Sequence, residues 1–258
     1  MMAISAAPQS RFLMMRECIF FLNFDVIMRQ FFKKDTDLSV IIESNFRLLK
    51  VLDYIGVDLQ YCGLPVEEAC EKSGVDCTGT LMICNSQTFA SYTPSDEELK
   101  KGDIREVMRL LHNSHVYYNS DAFVRLEEKV SELMNSFLPS QREVVDKFVS
   151  DYRRELERHF DYEEEVVYPY ILSLLEGRRD REYSAEEYAA RHDNAVEKLC
   201  DLKHLMMCSL HGKCDNSLRA DVLLLIYHIE EDLEMHTKVE NDVLLPMIRM
   251  IESHEERK

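Results

Sequence analysis

The chain has 258 residues, enough to bury a sizeable core without disulfide or metal staples. Lysine and arginine total 31 against 48 aspartate and glutamate, a formal charge of −17, so nucleic acid and anionic membrane surfaces are repelled over most of the molecule. Seven glycines, six prolines and no tryptophan, with abundant Leu, Glu, Lys, Arg and Met, favour an all-helical protein. Eight scattered cysteines form no C-x-x-C pair, which fits free thiols in a reducing compartment, the cytoplasm, better than a secreted disulfide framework.

Residues 1–36 form an N-terminal extension. Its apolar run FLMMRECIFFLNFDVIM is interrupted by Glu17 and Asp25, lacks an A-x-A cleavage site, and is too short and too charged to span a bilayer. From Met28 the chain reads MRQFFKKDTDLSV, like an ordinary cytosolic start, so residues 1–27 are expected to be translated upstream sequence. Residues 37–86 read as a small helical, cysteine-bearing domain: the amphipathic stretch LSVIIESNFRLLKVLDYIG, a turn at Tyr61-Cys62-Gly63, then PVEEACEKSG with proline near a helix start. Residues 87–102 read as a polar linker, with Thr93 or Ser95 and the acidic DEE supplying the start signal for the next helix.

Residues 103–254 contain four long segments with apolar residues three and four apart, separated by turn-like clusters at MNSFLPSQ, EGRRDREYS and HGKCDNS. Four long helices with short connections predict an antiparallel up-down-up-down four-helix bundle. Within it HFDYEEEVVYP at 159–169 and HTKVENDVLLP at 236–246 write one pattern twice. Residues four apart share a helix face, so His159 with Glu163 and His236 with Glu240 each present an imidazole beside a carboxylate. Val166 and Val243 continue that face and assign it to the core, where an unpaired glutamate is costly.

Connectivity adds a test of height, because residues level with each other in an antiparallel hairpin have their sequence midpoint at the turn. The midpoint of His112 and His159 falls in MNSFLPSQ, that of His159 and His192 at the edge of EGRRDR, and that of His192 and His236 in HGKCDNS. One histidine from each helix thus lies at one level, joined by Glu163 and Glu240. A lone core histidine ordinarily hydrogen-bonds a neighbour; six such residues at one level point to metal. Four imidazoles and two carboxylates suffice for two iron ions, with each glutamate free to bridge. A single zinc would leave ligands unused, and calcium would want more oxygen.

The doubled H-x-x-x-E-x-x-V-x-x-P, with His112 in LHNSH and His192 in ARHDNAVEKL, resembles the hemerythrin-like di-iron bundle. More closely it resembles the iron-sulfur cluster repair di-iron proteins, which place a short cysteine-bearing helical domain before that bundle. The resemblance covers Leu38 to Pro246 and implies a metal site of His112, His159, Glu163, His192, His236 and Glu240, holding a non-haem di-iron centre with an oxo or hydroxo bridge. The family's H-x-x-H stretch favours His112 over His115 as the ligand on the first helix. His115 and Glu164 are candidates to support the ligands, Glu164 being otherwise solvated, or a competing ligand if the helix widens near Pro169; His228 could line the same stripe, with a satisfied core histidine as its default role. Tyr117, Tyr118, Tyr162 and Tyr168 lie near the level of the site, and packing is the default role for each. Where the family carries two adjacent cysteines this chain reads VDLQYCGLPVEEAC, keeping Cys62 as a candidate reactive thiol with tyrosine at the preceding position.

The resemblance implies a cytoplasmic stress-response protein that helps restore iron-sulfur clusters damaged by nitric oxide or peroxide, by supplying iron or processing nitric oxide. Its partners would be damaged iron-sulfur proteins or small gases, NO and O2, with no nucleic acid or membrane and with a homodimer formed through the N-terminal domain. The alternatives are a hemerythrin-like O2 or NO binding or sensing protein without turnover, and an iron reservoir.

Overall fold

The computed structural model describes residues 30–178, 183–191 and 197–255. Among these, the secondary structure is helical, with one isolated bridge between Asp37 and Pro65. The proposed start at Met28 and the rest of the extension up to residue 29 lie outside the described residues, as does His192.

Four short helices form the N-terminal unit: α1 (Leu38–Ser44), α2 (Leu48–Ile55), α3 (Val66–Ser73) and α4 (Cys77–Thr88). Gly56 (φ 95°) and Gly74 (φ 70°) end α2 and α3 in left-handed conformations that only glycine adopts without strain. Asp76 starts α4 by accepting from the backbone N–H groups of Thr78 (3.1 Å) and Gly79 (2.6 Å). The polar stretch that follows is partly helical: Ser95 and Glu98 close a capping box over α5 (Asp96–Lys101).

Asp103 then caps α6 (Ile104–Tyr117) through the N–H of Arg105 at 2.9 Å. A widened π-turn, Tyr118–Ala122, joins α6 to α7 (Phe123–Met134), completing the first rod of the bundle. The second rod is α8 (Pro139–Tyr162), a π-turn at Glu163–Val167, and α9 (Tyr168–Leu175). The third segment supplies α10 (Ala185–Arg191), α11 (Glu197–His204) and a π-turn at Leu205–Ser209. The fourth is α12 (Asn216–Val239), a π-turn at Glu240–Leu244, and α13 (Leu245–Glu255). No helix among the described residues is long and apolar enough to cross a membrane.

Two π-turns have a sequence cause. Pro169 and Pro246 each sit one residue into the helix that follows the widened turn. Proline has no N–H to donate and its ring collides with the carbonyl four residues back, so a regular α-turn cannot run through it. Widening the preceding turn relieves that collision. Nothing in the sequence accounts for the turn at Tyr118–Ala122. The widening also shifts a face: α-helical spacing predicts Val166 inside, whereas Val166 is 38% exposed and Val167 is fully buried. In the fourth rod both Val243 and Leu244 are buried.

The apolar interior divides in two. One cluster joins the N-terminal unit (Leu38, Leu52, Met82) to the near end of the bundle (Val107, Leu111, Val167, Val239, Val243). The other fills the far end (Phe123, Leu126, Val149, Leu156, Ile226, Leu233). The polar stretch before α6 is therefore a break in composition and not in packing. Hydrogen bonds reinforce the junction: Gln87 Nε2 donates to the Met235 carbonyl at 2.8 Å, and Asn113 Nδ2 to the Tyr54 carbonyl at 2.8 Å.

Candidate metal centre

Between the two apolar clusters lies a layer of polar side chains. His115, Glu163, His236 and Glu240 are all buried, with Glu163 and Glu240 each 1% exposed. His115 on α6, His236 on α12, and Glu163 and Glu240 at the start of the π-turns after α8 and α12 converge there. His115 Nε2 is 3.3 Å from His236 Nε2 and 3.1 Å from Glu163 Oε2. His236 Nε2 is 3.3 Å from Glu240 Oε1 and 4.0 Å from Glu163 Oε2, and His159 Nε2 is 3.6 Å from Glu163 Oε1.

These atoms form two ligand groups, His115–Glu163–His236 and His159–Glu163–Glu240, which share Glu163. The echo at 159–169 and 236–246 is thereby explained: each copy sends a histidine and a glutamate into one layer from helices two and four. Both copies also place the glutamate first in a π-turn.

The first helix differs from the sequence expectation. His112, favoured there by the family pattern, has a half-exposed side chain, and its Nδ1 meets Glu164 Oε1 at 2.9 Å outside the buried layer. His115, one turn on, enters the layer, stacked on Phe160 at 4.3 Å between ring centroids. The signal in LHNSH is ambiguous because residues three apart lie on adjoining stripes of one helix face, and periodicity alone does not choose between them. Glu164 is brought inward by the widened turn and accepts from Nδ1 of His115 at 2.8 Å. His228 is exposed on α12, two turns from His236 and away from the layer. Cys62 is half-buried against the N-terminal cluster.

Hydrogen bonds fix the ring orientations. Ser114 gives its hydroxyl proton to the Leu111 carbonyl at 2.6 Å, so its oxygen accepts from Nδ1–H of His236 at 2.7 Å. That leaves Nε2 of His236 bare toward the cluster, and the Glu164 contact does the same for His115. Burial pushes the His115 imidazole down to about 4, so the ring is neutral, as a metal ligand must be. Burial, then the charge and shared hydrogen bond of Glu240, push the Glu163 carboxyl well above its ordinary value. For Glu164 burial acts upward, but the hydrogen bonds from His115 and His112 outweigh it and hold the carboxyl low.

Of the four tyrosines near this level, Tyr118 packs edge-on to His236, Tyr168 lies parallel to His115, Tyr162 bonds Tyr183 at 2.6 Å, and Tyr117 accepts from Arg125. A fifth, Tyr188 on α10, was not legible as a site residue. It is buried, and its hydroxyl lies 3.2 Å from Glu163 Oε1 and 3.1 Å from Glu240 Oε1.

The donor set fits a cation. Glu163 Oε2 is buried with no hydrogen-bond partner, its approach to His115 Nε2 being out of hydrogen-bonding geometry. Two bare imidazole nitrogens and two buried carboxyl groups converge on the same space, where a cation would relieve the cost of burying them and replace the proton that the raised Glu163 carboxyl otherwise holds. Imidazole with carboxylate suits iron, zinc, manganese or copper more than calcium or magnesium.

An all-helical bundle with such a layer between two cores is a cation-binding bundle. Residues 107–248, more than half of the chain, match the hemerythrin HHE cation binding domain, and the protein belongs to that family. No curated protein matches the chain.

Proposed function

We propose that the layer holds a pair of iron ions bridged by Glu163, with Glu240, His115, His159 and His236 among the ligands, and that the protein acts in repairing iron-sulfur clusters damaged by nitric oxide or peroxide. The observation that carries the di-iron part is the sharing of Glu163 between two three-residue ligand groups: a carboxylate with one oxygen in each group is built to bridge. His192, the sixth ligand that the sequence pattern implies, lies outside the described residues. Bound iron would supply a redox-active Lewis acid able to bind O2, NO or peroxide. The chain's own residues present neutral nitrogens through Ser114 and Glu164, flank the layer with two apolar clusters, and hold two carboxyl groups side by side.

The repair assignment is supported by the run of resemblance through the N-terminal unit, whose helices pack directly on the bundle end that carries the site. Its partners on this reading are damaged iron-sulfur proteins in the cytoplasm. Protein produced with iron should carry two irons per chain, and adding it to a nitric-oxide-damaged iron-sulfur enzyme should restore that enzyme's activity. Two irons with stable, reversible O2 binding and no such recovery would assign the protein as a gas carrier or sensor instead; one iron or none would overturn the di-iron centre.

A further inference from the structure

We infer that Tyr188 is a positioning residue of the metal centre: its hydroxyl holds one oxygen of Glu163 and one of Glu240 on the third-helix side and so fixes the carboxyl plane that turns each Glu163 oxygen toward its own ligand group. The inference rests on the metal reading above and deepens it.

The geometry is specific. Tyr188 Oη lies nearly equidistant from the two Oε1 atoms, at 3.2 and 3.1 Å. Glu163 Oε2, on the opposite side of the same carboxyl, is the atom with no hydrogen-bond partner, and it faces His115 and His236. The two oxygens of Glu163 are thus sorted, Oε1 toward the phenol and His159 Nε2 at 3.6 Å and Oε2 toward His115 and His236. A free carboxylate could rotate and exchange them; a hydroxyl on one side fixes the plane. Because a phenol has one proton, it donates to one carboxylate at a time while lying within reach of both. It therefore couples the orientations of two side chains that arrive from different helices. Tyr188 is itself immobilised: it is 3% exposed within the apolar cluster that joins the N-terminal unit to the bundle.

Hydrogen bonds that orient metal ligands are worth about 10–100-fold in metal affinity. Ferrous iron binding, measured anaerobically by competition with a chromogenic chelator, tests the inference. In Tyr188→Phe the affinity should fall by about 10–100-fold, with the same iron-to-chain ratio as the unsubstituted protein at saturation. Tyr168→Phe is the matched control, since it deletes a buried hydroxyl beside the same layer that has no hydrogen-bond partner; it should leave affinity within about twofold of the original, well under the loss typical of an orienting hydrogen bond. The far-UV circular dichroism of both variants reports folding, and Tyr188→Gln, which restores a donor at that position, should recover part of the loss. An unchanged affinity in folded Tyr188→Phe would overturn the inference while leaving the metal centre intact. A visible phenolate-to-iron charge-transfer band in the ferric protein that vanishes in Tyr188→Phe would also overturn it, by making Tyr188 a ligand. Failure of the unsubstituted protein to take up ferrous iron would overturn the metal reading, and this inference with it.

Discussion

The Nε2 atoms of His115 and His236 face each other at 3.3 Å, while the Nδ1 atoms of the same rings are committed to Glu164 and Ser114. Two nitrogens with lone pairs turned toward one another are stable only with something positive between or beside them. His115→Ala should therefore weaken iron binding by more than about 100-fold, whereas His112→Ala, which removes only a partner of Glu164, should cost about tenfold or less. The two variants compared in one chelator titration decide the matter, and a larger loss for His112→Ala would restore it as the ligand.

Glu163→Gln should abolish loading of the second iron and yet stabilise the metal-free protein at neutral pH by about 1 kcal/mol or more, because it removes a carboxyl that must take up a proton to be buried beside Glu240. The pH dependence has a defined sign. A carboxyl whose folded value is raised contributes stability that is fully present below its unfolded value of 4.5 and is lost as pH rises toward the folded value. Metal-free protein should thus lose thermal stability as pH rises above about 5, and Glu163→Gln should flatten that slope. His115 acts on the other side: with its folded value near 4 against 6.5, its contribution is present above 6.5 and is lost as pH falls toward 4. Melting temperatures across pH 4 to 8, with and without the substitution, test both limbs, and parallel curves would contradict the assignment.

Pro169→Ala restores an N–H and removes the collision that accompanies the Glu163–Val167 turn. The helix should then tighten toward regular α geometry, gaining local stability while carrying Glu164 off His115 and rotating Val167 away from the core. Iron affinity is expected to drop by about tenfold or more through the lost Glu164 contact. A variant that melts higher and binds iron as well as the original would show that the widened turn has no part in the site.

Leu52 on α2 is fully buried in the cluster shared by the N-terminal unit and the bundle. Leu52→Ala should cost about 2–5 kcal/mol and lower the melting temperature of the whole molecule in one transition. Two separate transitions in calorimetry, with only the first shifted, would mean that the two parts unfold independently.

The four rods and their turns were legible because apolar spacing persists over long segments and turn residues cluster between them. The doubled motif gave Glu163, Glu240, His159 and His236, which the structure brings together; His192 lies outside the described residues. What stayed hidden depended on rotations smaller than one residue step. His112 and His115 differ by one turn on neighbouring stripes, Val166 and Val167 exchange places through a proline-driven widening, and Glu164 becomes a partner of His115 by the same shift. Tyr188 carried no signal because a tyrosine on a core-facing stripe ordinarily just packs, and its relation to the two glutamates exists only once three helices have met.

The polar layer separates the interior into two apolar blocks; Tyr117 packs against both, and Phe160 and Tyr118 of the far block lie on His115 and His236. Each block can hold its own backbone closed, but without a cation the stratum between them has mutual repulsion where a core has cohesion. Amide hydrogen exchange in the metal-free protein should accordingly be fastest, among helical positions, in the turns around Glu163 and Glu240 and slow in both blocks. A bound cation would act as a rivet between them, so that protection there rises together in all the rods it joins.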